Sequence, residues 1–218
     1  MDIKIITIDG PAGVGKTTLA KRMAEYLDVA YLDTGAMYRA LAWFIGEDCK
    51  NVQPEPIREL LKDLVFDLQG SGQDTRIILN GKFLDGQIRT EEVGMRASDV
   101  AQMPVVREYM KKVQQELGHS MFLVAEGRDM GTTVFPWAEC KFFLEASPQI
   151  RARRRYEQLL QMGRDADLQV IESAIAKRDR QDRNRAVAPL RPAEDAHIID
   201  TGNKNIDEVF AAMLLLVD

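Results

Sequence analysis

Two hydrophobic periods alternate along the 218 residues of this chain. Ile3–Asp9 is a continuous apolar run rich in isoleucine, the pattern of a parallel strand buried on both faces. A glycine-rich turn follows at 10–15, and Lys16–Leu27 then repeats apolar residues at helical spacing. Ala30–Asp33 predicts a short strand and Gly35–Ile45 a helix, with Thr34 placed to cap it. Pro54–Leu64 predicts a further helix, opened by prolines suited to a first turn. The period then shortens: Val65–Leu68, Thr75–Leu79 and Lys82–Leu84 are β-prone runs, with Asn80-Gly81 as a hairpin signal. Helical patterns return over Thr90–Gln102 and after Pro104. Met121–Ala125 and Cys140–Leu144 read as strands, and Pro148–Met162 and Leu168–Arg185 as long helices joined by Gly163–Asp167. Ala196–Asp200 is a late strand and Asn205–Val217 a closing helix. The class is therefore α/β: a parallel sheet covered by helices on both faces, with a small antiparallel β insert and neither internal repeats nor low-complexity linkers.

Composition narrows the class of protein. Hydrophobic residues make up 45% and charged residues 29%, a globular balance that excludes a disordered or fibrous chain. Met1-Asp2-Ile3-Lys4 reads as entry to a strand, without the basic stretch that opens a signal peptide, and the apolar run Ala211–Val217 is too short to span a bilayer. These features predict a cytoplasmic protein with no membrane partner. Cys49 and Cys140 lack CxxC spacing and are expected as free thiols in a reducing compartment. His119 and His197 show no metal spacing and no catalytic pattern. The net charge of −5 hides an asymmetry, because residues 150–191 hold eleven Arg/Lys against six Asp/Glu. A basic segment on an otherwise acidic chain suggests a local anion site. With only Tyr156 as an interleaved aromatic, a nucleic-acid surface is not expected. Nothing points to an obligate interface, so a monomer is expected.

The chemistry begins at Gly10-Pro11-Ala12-Gly13-Val14-Gly15-Lys16-Thr17, which fits G-x-x-x-x-G-K-[ST] in full and lies between a predicted strand and helix. Glycines leave room for backbone N–H groups to approach phosphates, and the helix N-terminus adds partial positive charge. ATP is expected on residues 10–18, including Thr18, with Lys16 on the β- and γ-phosphates and the Thr17 hydroxyl on Mg²⁺. A GTPase would carry a base-reading N-K-x-D; the nearest string, Asn203-Lys204-Asn205-Ile206, ends in isoleucine. A motor or transporter ATPase would show a second strand ending in Asp, whereas Met121–Ala125 runs into Glu126.

After the second strand comes Asp33-Thr34-Gly35-Ala36-Met37-Tyr38-Arg39. Here Thr34 can offer a hydrogen bond to an anion, and Arg39 follows close enough to clamp the same group. This string resembles the acceptor-site T-G-x-x-x-R of nucleoside monophosphate kinases. Glu126-Gly127-Arg128-Asp129-Met130-Gly131-Thr132 and the run from Arg178 to Leu190 are similar to signatures of the bacterial cytidylate kinases. The resemblance extends from about Ile3 to the C-terminus. It implies a P-loop NTPase core (about 1–33, 104–150 and 186–218), an NMP-binding part carrying the β insert (34–103), and a short Arg-rich helical lid (151–185). The implied activity is transfer of the γ-phosphoryl of ATP to CMP and dCMP, with domain closure to exclude water.

Helix spacing gives an independent argument. Ile171, Ile175, Arg178, Asp182 and Arg185 share one helical face that starts apolar and turns charged. If that face stays inward, its arginines need anionic partners; Asp182 can serve one, and a nucleotide phosphate would serve the other. The bland alternative is that the helix leaves the core after Ile175. Arg151, Arg153, Arg154 and Arg155 pose the same choice between a solvated face and a lid, with Arg154 implied by the resemblance to reach ATP. Phosphoryl transfer asks for positioning and charge neutralisation, which suits Lys16, Arg39, Arg128, Arg178 and Arg185. The resemblance further implies that Thr34 touches the acceptor phosphate, that Asp182 holds the ribose, and that Ser98, Arg107 and Asp129 contact cytosine. Kinases of other acceptors such as UMP or AMP, and a non-catalytic ATP-binding module, remain open at this point.

Overall fold

The computed structural model describes residues 5–46 and 54–217, so the expectations for Met1–Lys4 and Cys49 lie outside the described residues. The elements are β1 (Ile5–Asp9), α1 (Lys16–Leu27), β2 (Ala30–Asp33), α2 (Thr34–Ile45), α3 (Pro54–Lys62), β3 (Phe66–Gln69), β4 (Arg76–Leu79), β5 (Lys82–Phe83), α4 (Glu91–Val100), α5 (Pro104–Ser120), β6 (Leu123–Gly127), β7 (Cys140–Glu145), α6 (Pro148–Gln161), α7 (Leu168–Asn184), β8 (His197–Asp200) and α8 (Ile206–Leu214). Five strands form one sheet in the order β2-β6-β1-β7-β8, and β3-β4-β5 form a separate antiparallel sheet. The α/β class and the inserted hairpin sheet are as the hydrophobic pattern predicts.

The chain divides into two compact units, one of Met1–Ile5 and Lys21–Gly127, the other of Ile6–Ala20 and Arg128–Asp218. In the first, β2 and β6 pair in parallel with Asp33 opposite Glu126. β6 starts two residues later than the apolar run suggests, because Met121 is the extended cap that ends α5. It also keeps Glu126 and Gly127 inside the strand, where burial of Glu126 is offset by a hydrogen bond from the Tyr31 hydroxyl. The cap of α2 differs from expectation too. Asp33 fills that role, accepting the Ala36 amide at 2.8 Å, while Thr34 is the first helical residue and donates Oγ1–H to the Glu126 carbonyl at 2.7 Å. Helices α2 and α4 pack through the small residues Ala42 and Ala97 with Val100. In the hairpin, Asn80 and Gly81 both take left-handed φ values (49° and 73°), the two-residue turn whose twist matches its strands.

In the second unit, β1 and β7 pair in parallel with Ile8 opposite Phe142, and β8 extends from β7 with Ile199 opposite Leu144. The strand interior is mostly apolar, with Ile6, Ile8, Phe142, Phe143 and Leu144 buried, and it also buries the polar Thr7, Asp9 and Lys141. Residues Met130–Val134 form one π-helical turn, an element the local pattern does not announce. Helix α8 begins with a capping box in which Asn205 and Glu208 satisfy each other's backbone N–H. Among the described residues no helix is long and apolar enough to cross a membrane.

Candidate active site

The cradle takes its shape from backbone freedom and from side chains that grip its carbonyls. Gly10 and Gly13 adopt φ of 147° and 83°. A Cβ on Gly10 would lie 2.3 Å from the Leu144 carbonyl oxygen, so only glycine fits where the loop leaves β1. Three carbonyls of the loop are held from different parts of the chain. Lys16 Nζ donates to Pro11 O at 2.7 Å, Arg151 Nη1 to Ala12 O at 3.0 Å, and Thr201 Oγ1 shares its one proton between Val14 O at 3.3 Å and Glu145 O at 3.1 Å. Since C=O and N–H of a trans peptide point in opposite directions, fixing these oxygens turns the following N–H groups the other way. The loop lines a cleft of about 510 Å³ with Thr17, Thr18, Arg154, Arg155, Thr201 and Lys204. Arg154 thus borders the same cleft as the cradle, with its guanidinium donating to Thr201 Oγ1 (3.2 Å) and to the Thr201 and Gly202 carbonyls.

A second constellation joins residues 128–129 to the end of α7. Arg128 Nε meets Asp182 Oδ2 at 2.9 Å, and Arg185 Nη2 meets Asp129 Oδ1 at 3.0 Å. The two pairs cross, each pairing a cation of one segment with an anion of the other, and each is mostly shielded from water. This corrects the helix-face argument: Asp182 neutralises Arg128 and not an arginine of its own helix, and Arg185 is served by Asp129. Arg178 lies one turn before Asp182 and is exposed, so the charged part of the α7 face is not uniformly inward. Its amphipathic stripe leaves the core once the apolar residues run out, and Asp179, one residue round the helix, is the buried position.

The remaining predicted residues belong to the first unit. Arg39 donates Nη1–H to the Ile88 and Thr90 carbonyls at 3.3 and 3.0 Å. Gly94 makes room for it: a Cβ there would lie 2.8 Å from both terminal nitrogens of the guanidinium. Arg107 is buried on α5 and donates to Ala101 O at 3.4 Å, while Ser98 is half-buried on α4. Thr34 is held by Glu126 as described. Thr34, Arg39, Ser98 and Arg107 therefore sit in one unit, and Arg128, Asp129, Arg178, Asp182 and Arg185 in the other.

Two structural roles escaped the sequence reading, that of Asp9 and that of Arg151, for which helix spacing left only a solvated face or a lid. Asp9, 4% exposed at the end of β1, accepts the Met130 amide on Oδ1 at 2.9 Å and the Gly131 amide on Oδ2 at 2.8 Å. Burial pushes its carboxyl from 3.8 up to about 6; the Asp129 charge adds to the rise, while the two amides and Lys16 oppose it. The available signal was a carboxylate ending an otherwise apolar strand. Arg151, only 2% exposed, forms a two-oxygen pair with Asp179 and reaches both Ala12 O and Ala146 O. Its partner lies 28 residues away, so no local period reveals the pair. Cys140 is a free thiol, raised by burial to about 11.

The sequence model of the cytidylate kinase family matches residues 6–218. The chain is 55% identical to a cytidylate kinase of Oleidesulfovibrio alaskensis, with 96% of each chain covered. It is 54% identical to that of Nitratidesulfovibrio vulgaris strain Hildenborough, covering 97% of this chain and 91% of that protein. Among solved structures, an uncharacterized protein from Eubacterium ventriosum shares the fold with a TM-score of 0.53 at 14% identity, over 99% of this chain and 98% of that one.

Proposed function

The chain belongs to the cytidylate kinase family, and from that premise we propose that it transfers the γ-phosphoryl of ATP to CMP and dCMP, releasing ADP and the nucleoside diphosphate. The observation that carries this reading is the match over residues 6–218, which takes in the cradle and both segments of the crossed ion pairs. The enzyme is an ATP-dependent phosphotransferase. ATP is assigned to Gly10, Pro11, Ala12, Gly13, Val14, Gly15, Lys16, Thr17 and Thr18, of which Gly13 to Thr18 line the cleft together with Arg154. Loading requires Lys16 to exchange the Pro11 carbonyl for phosphate oxygens. Mg²⁺ suits the donors offered: a hard ion takes oxygen ligands, and Thr17, which lines the cleft, carries a hydroxyl. When bound with the nucleotide it supplies charge neutralisation between phosphates.

Acceptor roles follow the chemistry of each group. Arg128, Arg178 and Arg185 neutralise the transferring and acceptor phosphates, with Arg39 and Thr34 on the acceptor phosphate. The Thr34 proton is committed to Glu126 O, so serving an anion means rotating off that carbonyl. Asp182 addresses the ribose. Asp129, Arg107 and Ser98 address cytosine, since a carboxylate accepts from the exocyclic amine that UMP lacks. In this reading 34–103 is the nucleotide-acceptor part and 151–185 the lid. An acceptor panel of CMP, dCMP, UMP, AMP and GMP, read by ADP release, tests it. CMP and dCMP should exceed UMP by roughly two orders of magnitude in kcat/KM; equal turnover of UMP or AMP overturns the assignment.

A further inference from the structure

Asp9 stands outside the roles assigned above, yet it connects two of them. It directly precedes the phosphate cradle in the chain, and its two carboxylate oxygens take the amides of Met130 and Gly131, 121 and 122 residues away. Those amides follow Asp129, whose peptide begins the π-helical turn over Met130–Val134. The seat is tight on its other side. A Cβ on Gly131 would lie 3.0 Å from Thr7 Oγ1 and 3.2 Å from Lys141 Cδ, so a side chain there would press on residues of β1 and β7. Thr7 is fully buried and its hydroxyl has no hydrogen-bond partner, so the turn is not held through it. Asp9 is the polar attachment at this point.

We propose that Asp9 is a positioning residue for base selection: by gripping consecutive amides after Asp129, it presents the Asp129 carboxylate to the acceptor base in one orientation. The proposal rests on the reading that Asp129 meets cytosine. Two oxygens on two adjacent N–H groups define a plane, which a single hydrogen bond cannot do. The charged groups that face Asp9 are Lys16 from the cradle and Asp129 from the turn, the latter paired with Arg185. Lys141, against Gly131, is itself engaged by Asp195 and the Pro136 carbonyl. The grip is complete when Asp9 is ionised and is weakened when it takes up a proton.

Asp9→Asn keeps the shape but offers one acceptor oxygen and turns an NH₂ toward the second amide. At pH 8 the variant should show KM for CMP raised about tenfold and the CMP-over-UMP preference reduced by a similar factor, with KM for ATP changed less than about threefold. The ratio of wild-type to variant kcat/KM for CMP should then shrink as pH falls through about 6, because wild-type Asp9 also becomes neutral. Taking the ratio cancels the ionisation of the CMP phosphate, which falls in the same range. Gly131→Ala, which displaces the turn without touching Asp9, should give the same selective loss and serves if Asp9→Asn does not fold. A uniform fall in kcat with both KM values and the base preference intact, or a ratio flat with pH, overturns the proposal. Wild-type enzyme that does not prefer CMP would overturn the underlying reading instead, and Asp129→Ala separates the two, since it removes the preference while leaving the Asp9 grip in place.

Discussion

Lys16 is buried and already bonded to the Pro11 carbonyl. Its ammonium is therefore already desolvated, and in the proposed role on phosphate charge it would need little reorganisation at the moment of reaction. Lys16→Ala should lower kcat by about two orders of magnitude, on the order of 3 kcal/mol, with the overall fold kept, as read by steady-state turnover beside circular dichroism. At this scale the glycine-rich motif was readable because its chemistry is contained in consecutive positions. The partners of Arg128 and Arg185 were not. They lie 54 and 56 residues away, and helical spacing alone assigned Asp182 to its own helix. Sequence period reports which face a residue shares, and not which segment comes to meet that face.

Among the elements, α6 and α7 are joined by the Arg151–Asp179 pair, and the same guanidinium reaches the cradle at Ala12 and the end of β7 at Ala146. Gly13 packs against the stem of Arg151, its missing Cβ 3.2 Å from Arg151 Cβ. Removing one member of a buried pair strands the other charge, so Arg151→Ala should destabilise the protein by about 3–5 kcal/mol in denaturant unfolding. The double change Arg151→Met with Asp179→Leu should recover most of that loss, because it leaves no unpaired buried charge. A double variant no better than the single would mean that the bonds to Ala12 and Ala146 dominate. Element identity was largely legible: alternating apolar strands and amphipathic helices gave the α/β class, and Asn80-Gly81 marked the hairpin that forms. What local pattern missed were features set by distant contacts, such as the π-helical turn fastened to Asp9 and the start of β6 displaced by the end of α5.

For the molecule as a whole, the basic stretch 150–191 divides its charge between exposed positions, such as Arg153, Arg164, Arg180 and Arg183, and internal partners. Arg151 serves Asp179, Arg154 the Thr201–Gly202 backbone and Arg185 Asp129. Water is the competing acceptor for the γ-phosphoryl, and a kinase that discriminates acceptors should complete its catalytic arrangement only with both substrates present. ADP release from ATP alone should accordingly run at least roughly a hundredfold below the rate with saturating CMP; comparable rates would show that acceptor binding does not gate transfer.

The grip of residues 16, 151 and 201 on the oxygens of Pro11, Ala12 and Val14 has one more consequence. A mould pinned at three points keeps its contour. On the proposed reading, docking calls for one ammonium to change hosts, not for a slack segment to be tamed, so its entropic toll falls on the triphosphate.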